Sequence, residues 1–388
     1  MFKNILLSGL LCSSLMAESF DDFLHRALHN SPYLQASALG IEQAKQKAQT
    51  YTRYTNPSLE LEYSRFDANN AASEDGFRAN YTQPLRLWDV QNANKKLGTS
   101  EVANADAKYI RDKATFIRDI SLYYTRYVQS KMLLDLANEE LGIAQNIYNI
   151  SQARYKAGTI SKGVMLQAKI DYEMNEIKNE NTTLAMLQNY YALLKMAGVS
   201  QDLELDTSHT FVQDATSDIN NPELLILSAQ QKSADAKELL YANKLEYVDV
   251  FGEFEKEPEQ NIARFGISVP LAFFNDRSQE KHIAKLKSKE FALLIENTNT
   301  QTAMQLRQIE KTKQLLKNMQ LKNKKVLKTE EELLAMFEDG YKIANINLLE
   351  LQDIKNKLIE TKMRLIKITT ALNQNAIISN YLQGKYNE

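Results

Sequence analysis

Leu59-Glu60-Leu61-Glu62-Tyr63-Ser64 alternates apolar and polar residues without a break, and Phe77-Arg78-Ala79-Asn80-Tyr81-Thr82 does the same. Successive side chains of a strand point to opposite faces, so each segment has one apolar and one polar side. The pattern returns in Val248-Asp249-Val250-Phe251-Gly252-Glu253-Phe254 and in Ala263-Arg264-Phe265-Gly266-Ile267-Ser268-Val269. Each segment is about 8–10 residues long, close to what a tilted strand needs to cross a bilayer. On that reading lipid faces Leu59, Leu61, Tyr63, Phe77, Ala79 and Tyr81. A watery lumen faces Glu60, Glu62, Arg78 and Asn80, and likewise Asp249, Glu253 and Arg264 of the second pair. Two amphipathic hairpins lying on helices would alternate in the same way. In lipid, however, four strands are too few to close a barrel, and open edges cannot stand there. The membrane reading therefore demands that several copies pool their strands.

Around these segments the chain is written twice. Pro84-Leu85-Arg86-Leu87-Trp88-Asp89 reappears as Pro270-Leu271-Ala272-Phe273-Phe274-Asn275. Tyr155-Lys156 with Ile160-Ser161 reappears as Tyr341-Lys342 with Ile346-Asn347, and Gly198 matches Gly384. These matches share one offset, 186 residues, while Ser31-Pro32-Tyr33-Leu34 echoes Asn221-Pro222-Glu223-Leu224 at 190. The expected first repeat is 18–205, with a helix over about 20–55, strands near 57–66 and 76–86, and long helices over 89–155 and 163–197. The second is 206–388, with a helix over 222–246, strands near 247–255 and 262–270, and long helices over 276–341 and 347–382. Ser31 and Asn221, each before Pro, read as helix starts. Asp89 and Asn275, with Asp276 behind it, are expected to cap the long helices, and Pro84 and Pro270 to sit at strand ends.

The long helices carry seven-residue spacing. Ile120, Tyr127, Leu134, Leu141, Tyr148 and Tyr155 form one series, with small Ser130, Ala137, Ala144 and Ser151 three residues further on in the later turns. Ile170, Ile177, Leu184 and Tyr191 form another, and Met319, Val326 and Leu333 a third. Leu351, Leu358, Leu365 and Leu372 form the fourth. Large knobs beside small neighbours suit coiled-coil packing, and a sustained period of seven implies supercoiling. A continuous helix from Asp89 to Tyr155 would reach about 100 Å at 1.5 Å per residue, a length that suits spanning rather than enclosing a catalytic site. An antiparallel coiled-coil scaffold would show the same helices.

Composition agrees with a helical chain. Only 12 Gly and 6 Pro occur in 388 residues, which argues against a loop-rich or all-β fold. A formal charge of −2 offers no basic face for nucleic acid. Residues 1–17 read as a secretory signal, with Lys3, the apolar run Ile5–Cys12 and cleavage after Ala17. Cys12 is the single cysteine, and large Leu11 before it does not suit a lipid-modification site. Export would leave a chain with no disulfide framework. No later segment approaches 18 consecutive apolar residues, so any crossing must use strands.

The chain resembles the TolC-type outer-membrane efflux factors over nearly all its length after the signal. The likeness rests on Ala27-Leu28-His29-Asn30-Ser31-Pro32, on the paired Pro-Leu junctions and on Arg154-Tyr155-Lys156-Ala157-Gly158-Thr159-Ile160-Ser161, in that order within the duplicated plan. The resemblance implies a mainly α fold with a small β part. Duplicated antiparallel coiled-coil helices would form a periplasmic tube, and four strands per chain would join a trimeric 12-stranded transmembrane barrel. It implies a homotrimer in outer-membrane lipid, partnered by a periplasmic adaptor and an inner-membrane pump. The breaks Gly158-Thr159-Ile160-Ser161 and Ala344-Asn345-Ile346-Asn347 match the family's adaptor-docking tips, with Ala344 where Gly is usual. Glu350 and Asp353 match its periplasmic gate, and three such pairs would form carboxylate rings that favour cations.

Nothing in the sequence calls for catalysis or a cofactor. His25 and His29 have metal-capable spacing, but no Glu follows His25 in the metalloprotease arrangement, and they read as a surface pair. A P-loop, a dinucleotide fingerprint and a supported Ser nucleophile are all absent. The expected function is that of a passive outer-membrane conduit for small toxic substrates, drugs or metal cations. A type I protein-secretion duct and a poreless periplasmic coiled-coil scaffold are the alternatives.

Overall fold

The computed structural model describes residues 17–67, 72–213 and 220–385. The expected signal peptide, apart from Ala17, lies outside the described residues. In chain order the elements are α1 (Phe20–Asn30), α2 (Pro32–Thr52), β1 (Ser58–Phe66), β2 (Glu74–Arg86), α3 (Trp88–Lys156) and α4 (Lys162–Ala197). Then come α5 (Pro222–Tyr241), β3 (Tyr247–Lys256), β4 (Asn261–Ser268), α6 (Ser278–Lys342) and α7 (Leu348–Leu382). No helix among the described residues is long and apolar enough to cross a membrane.

Contacts divide the chain into two compact units, and each takes segments from both halves of the sequence. One holds Met1–Pro32, Lys113–Ile219 and Ala303–Glu388. The other holds Tyr33–Asp112 and Asn220–Thr302.

The second unit carries the sheet. Its strands lie in the order β1-β2-β3-β4, each antiparallel to its neighbour. Both hairpins join through β2 and β3, where Ala79 opposes Phe254 and Asn80 opposes Glu253. β1 and β4 therefore each have one neighbour among the described residues and leave an open edge.

In the first unit the later part of α3 packs with α4, α7 and the later part of α6. Ile147, Ala168, Leu334, Tyr341, Leu348, Leu351, Ile354 and Leu358 form one buried cluster there. At the other end Phe20 of α1 meets Tyr124, His209 and Phe211 at ring-centroid distances of 4.6–5.0 Å. Burial pushes the Tyr124 phenol well above its ordinary pKa, and its hydroxyl donates to the Asp206 carbonyl at 2.6 Å.

The four heptad series do not pack alike. Ile120, Tyr127 and Leu134 of α3 are buried with Ser130, Ala137, Ala144 and Ser151, and so are Leu351 and Leu358 of α7. Ile170, Ile177, Leu184 and Tyr191 of α4 remain 53–60% exposed, and Met319 and Val326 of α6 are also exposed. One chain thus fills half of its seams.

Several sequence expectations need correction. The first helix is not continuous over 20–55 but breaks at Ser31, which is extended with ψ 110°. Proline at position 32 disfavours a helical residue before it and brings no N–H to the ladder. The helix expected over 222–246 ends at Tyr241. Asp89 is not a cap: the Gln91 N–H donates to the Leu87 carbonyl at 2.9 Å, which puts Asp89 inside the first turn. Its charge still suits that end of the helix dipole. α6 starts later than Asn275 and Asp276, whose carbonyl and carboxylate oxygens accept from the Arg277 and Ser278 N–H groups in turns that lead into the helix. Pro84 lies within β2 rather than at its end, opposite Asp249. It sits beyond the last β1 pair, Ser58 with Thr82, so its missing donor costs no ladder bond on that side.

Candidate functional site

The first candidate site is the sheet, because the register sorts its faces. Leu59 opposes Tyr81, Leu61 opposes Ala79 and Tyr63 opposes Phe77. Across β3, Ala79 meets Phe254 and Tyr81 meets Gly252, and across β4, Gly252 meets Phe265 and Val250 meets Ile267. Directly paired residues share a face, so one apolar face runs through all four strands. Its larger side chains, among them Leu61, Tyr63, Phe265 and Ile267, are exposed.

The opposite face gathers Glu60, Glu62, Arg78, Asn80, Asp249, Glu253 and Arg264, the residues expected to line a lumen. Arg78 pairs with Glu62, and Arg264 pairs with Glu253 and reaches Glu255 at 2.6 Å. Phe251 also lies here, a residue the alternation alone leaves unexplained. A Cβ on Gly266 would come within 2.5 Å of the Phe251 ring, so the glycine makes room for the aromatic. Counting Glu74, Glu255 and Arg86, six carboxylates and three guanidiniums occupy this face.

The second candidate site is the pair of helix breaks. α3 ends with the Gly158 N–H on the Tyr155 carbonyl and the Thr159 N–H on the Arg154 carbonyl, at 3.0 and 2.9 Å. α6 ends in the same way, Ala344 on Tyr341 and Asn345 on Gly340, at 3.3 and 2.9 Å. This is the Schellman closure, which needs a left-handed residue at its turn. Gly158 has φ +73° and Ala344 φ +67°. Gly198 and Gly384 close α4 and α7 through the same pair of bonds. Ala344 is the one of the four with a Cβ, which costs roughly 1–2 kcal/mol in that conformation. Ala344→Gly should therefore stabilise the second tip by about 1 kcal/mol. A higher urea midpoint for loss of helical circular dichroism would show it, and an unchanged or lower midpoint would contradict it.

Beyond the breaks, Ser161 caps α4 and Asn347 caps α7. Asn347 and Glu350 form a capping box: the Glu350 N–H donates to Asn347 Oδ1 at 2.9 Å, and the Asn347 N–H donates to Glu350 Oε2 at 3.2 Å. Asp353 accepts from Lys357 Nζ at 2.7 Å, and that hydrogen bond holds the Lys357 ammonium above its ordinary pKa. Glu350, Asp353 and Lys357 share the exposed face of α7, while Leu351 and Ile354 turn inward. Both acidic residues singled out in the sequence thus have partners on their own helix end.

Sequence reading missed the clasp between the two tips. Arg154 Nη1 donates to the Tyr341 carbonyl at 2.8 Å, and its guanidinium stacks 4.6 Å from the Tyr341 ring. Oγ of Ser151 and the Tyr341 hydroxyl lie 2.8 Å apart. It also missed Lys355, whose side chain is 1% exposed and donates to Asp171 at 2.7 Å. His25 and His29 are exposed, and no group of three or more potential metal ligands occurs among the described residues.

No curated protein matches the chain by sequence. Solved structures do match its fold. The outer membrane protein VceC from Vibrio cholerae superposes with a TM-score of 0.78 at 14% identity, covering 95% of this chain and 96% of that one. CusC, described for transmembrane channel formation, gives 0.77 at 15% identity, over 93% and 90%. The Campylobacter jejuni CmeC outer membrane channel gives 0.76 at 14%, over 95% and 87%. At such identities the likeness speaks for the fold. The model of the outer membrane efflux protein family matches residues 23–199. That segment is thus similar to the outer membrane efflux protein family, and nearly the whole chain shares the fold of these outer-membrane proteins.

Proposed function

We propose that three copies of the chain pool their strands into one closed barrel in the bacterial outer membrane, continuous with a periplasmic helical tunnel. The observation that carries this is the four-stranded sheet with an exposed apolar face, a charged opposite face and two open edges. Open edges and bare apolar strands are a liability in water, whereas closure removes the edges and lipid covers the face. The exposed heptads of α4 and α6 support the same assembly, because they call for helices from sister chains. Outer-membrane fractionation tests it: a barrel stays with the membrane through salt and carbonate washing, whereas a poreless coiled-coil scaffold is released.

As a conduit the trimer acts passively, with energy supplied by an inner-membrane pump and a periplasmic adaptor docked at Gly158–Ser161 and Ala344–Asn347. The excess of carboxylates on the inner face favours cations in transit. Drugs carrying positive charge and metal cations fit this face better than anionic cargo does. A protein-secretion duct has no specific observation in its favour.

Glu350 and Asp353 serve in this reading as the periplasmic gate, each trimer bearing three copies of the pair. Glu350→Gln with Asp353→Asn should raise single-channel conductance and weaken cation preference in a planar bilayer. The glutamine keeps the capping box, so helix loss does not confound the result. Unchanged conductance and selectivity would defeat the gate.

A further inference from the structure

The charged face of the sheet carries an aromatic side chain in the middle of β3. Phe251 stands between Thr82 on one side and Gly266 on the other, and Ser58 continues that row beyond Thr82, so the row holds no charge. Along β3 itself Asp249 and Glu253 flank Phe251 on the same face, each two residues and about 7 Å away. Glu253 is already paired with Arg264, whereas Asp249 makes no ion pair among the described residues. The ring does not stand upright on the sheet. A Cβ on Gly266 would meet Cζ and Cε1 of Phe251 at 2.5 and 2.7 Å, so the ring leans across β4 into the space the glycine leaves. It is half-buried, with one side against the strand and the other open. The apolar face holds a counterpart, Phe265 over Gly252, where a Cβ would come within 3.2 Å of the ring. There lipid receives the ring. On the inner face water does, beside a carboxylate that has no counter-charge.

The face of an aromatic ring attracts cations, and a neighbouring carboxylate adds to the attraction. An organic ammonium or pyridinium ion also brings apolar surface to lay on the ring, which a small inorganic cation lacks. We infer that Phe251 and Asp249 form a contact site for organic cations in the barrel lumen, one in each chain. Organic cations dwell at this site, and inorganic cations pass it. This names the cargo class that the inner face favours, and it rests on the barrel reading of the sheet.

Trp88 is the only tryptophan in the chain, so Trp88→Phe with Phe251→Trp places a single reporter at the site and keeps an aromatic ring there. The full-length protein in phosphatidylcholine vesicles would be titrated with N-methylpyridinium, caesium and acrylamide, which quench indole from water. A second preparation in brominated lipid quenches from within the bilayer. Quenching by N-methylpyridinium should saturate, while quenching by caesium and acrylamide should rise linearly. Adding Asp249→Asn should raise the half-saturating N-methylpyridinium concentration about threefold. Quenching without saturation, or saturation that Asp249→Asn leaves unchanged, would overturn the site and leave the lumen standing. Protection from water and lipid alike would bury the ring and overturn the site alone. Quenching by brominated lipid rather than by the aqueous agents would put residue 251 in lipid and overturn the barrel reading together with the site.

Discussion

Asp171→Ala should destabilise the helical part of the chain by about 3 kcal/mol, whereas Lys355→Met should leave its stability nearly unchanged. The difference follows from what each change leaves behind. The Lys355 side chain is almost wholly buried on α7 with its ammonium 2.7 Å from Asp171 of α4. Without Asp171 that ammonium stays in an apolar site with no counter-charge, and removing one partner of a buried pair costs about 3–5 kcal/mol. Asp171 is 26% exposed, so water relieves part of the cost, and the lower end of the range applies. A methionine at 355 removes the charge and keeps most of the volume, and hydrophobic replacement of a buried pair is close to neutral. Urea unfolding followed by helical circular dichroism should separate the two variants. Equal midpoints would mean that the pair does not hold α4 against α7.

Leu61→Arg should cost about 2–4 kcal/mol of barrel stability, with far less folded protein recovered from outer membranes. Leu61 lies mid-strand on the outer face, opposite Ala79, and an arginine there would meet lipid near the bilayer centre. Glu60→Arg, one residue away on the inner face, should be tolerated, since water and neighbouring carboxylates receive the charge. Similar yields for both variants would place Leu61 outside lipid.

The strands were legible because period-two alternation survives without knowledge of partners. Glu60 and Leu61 declare opposite faces within the sequence itself, and the register keeps that division across all four strands. The tip breaks were legible through Gly158, although Ala344 adopts the same left-handed turn without the residue that signals it. The clasp was not legible. Tyr155 and Tyr341 occupy matching places in the repeat, yet Tyr155 is 40% exposed and Tyr341 is 1% exposed. What separates them is the preceding residue: Arg154 reaches across to Tyr341, while Gly340 stands at the equivalent place and leaves room for Ile346, which a Cβ would approach within 2.7 Å. Repetition in sequence cannot say which copy reaches and which receives. Nor could the heptads reveal which stripes are filled within one chain, because Ile177 and Leu358 carry the same period and differ only in what packs against them.

Consecutive single cysteines across residues 59–64, in a Cys12→Ser background and in vesicles bearing the reconstituted protein, bear most directly on the barrel. A small, water-soluble thiol reagent should modify positions 60, 62 and 64 and spare 59, 61 and 63. Equal modification at all six would mean that water reaches both faces of the strand, and three chains would not be closing a cylinder in lipid.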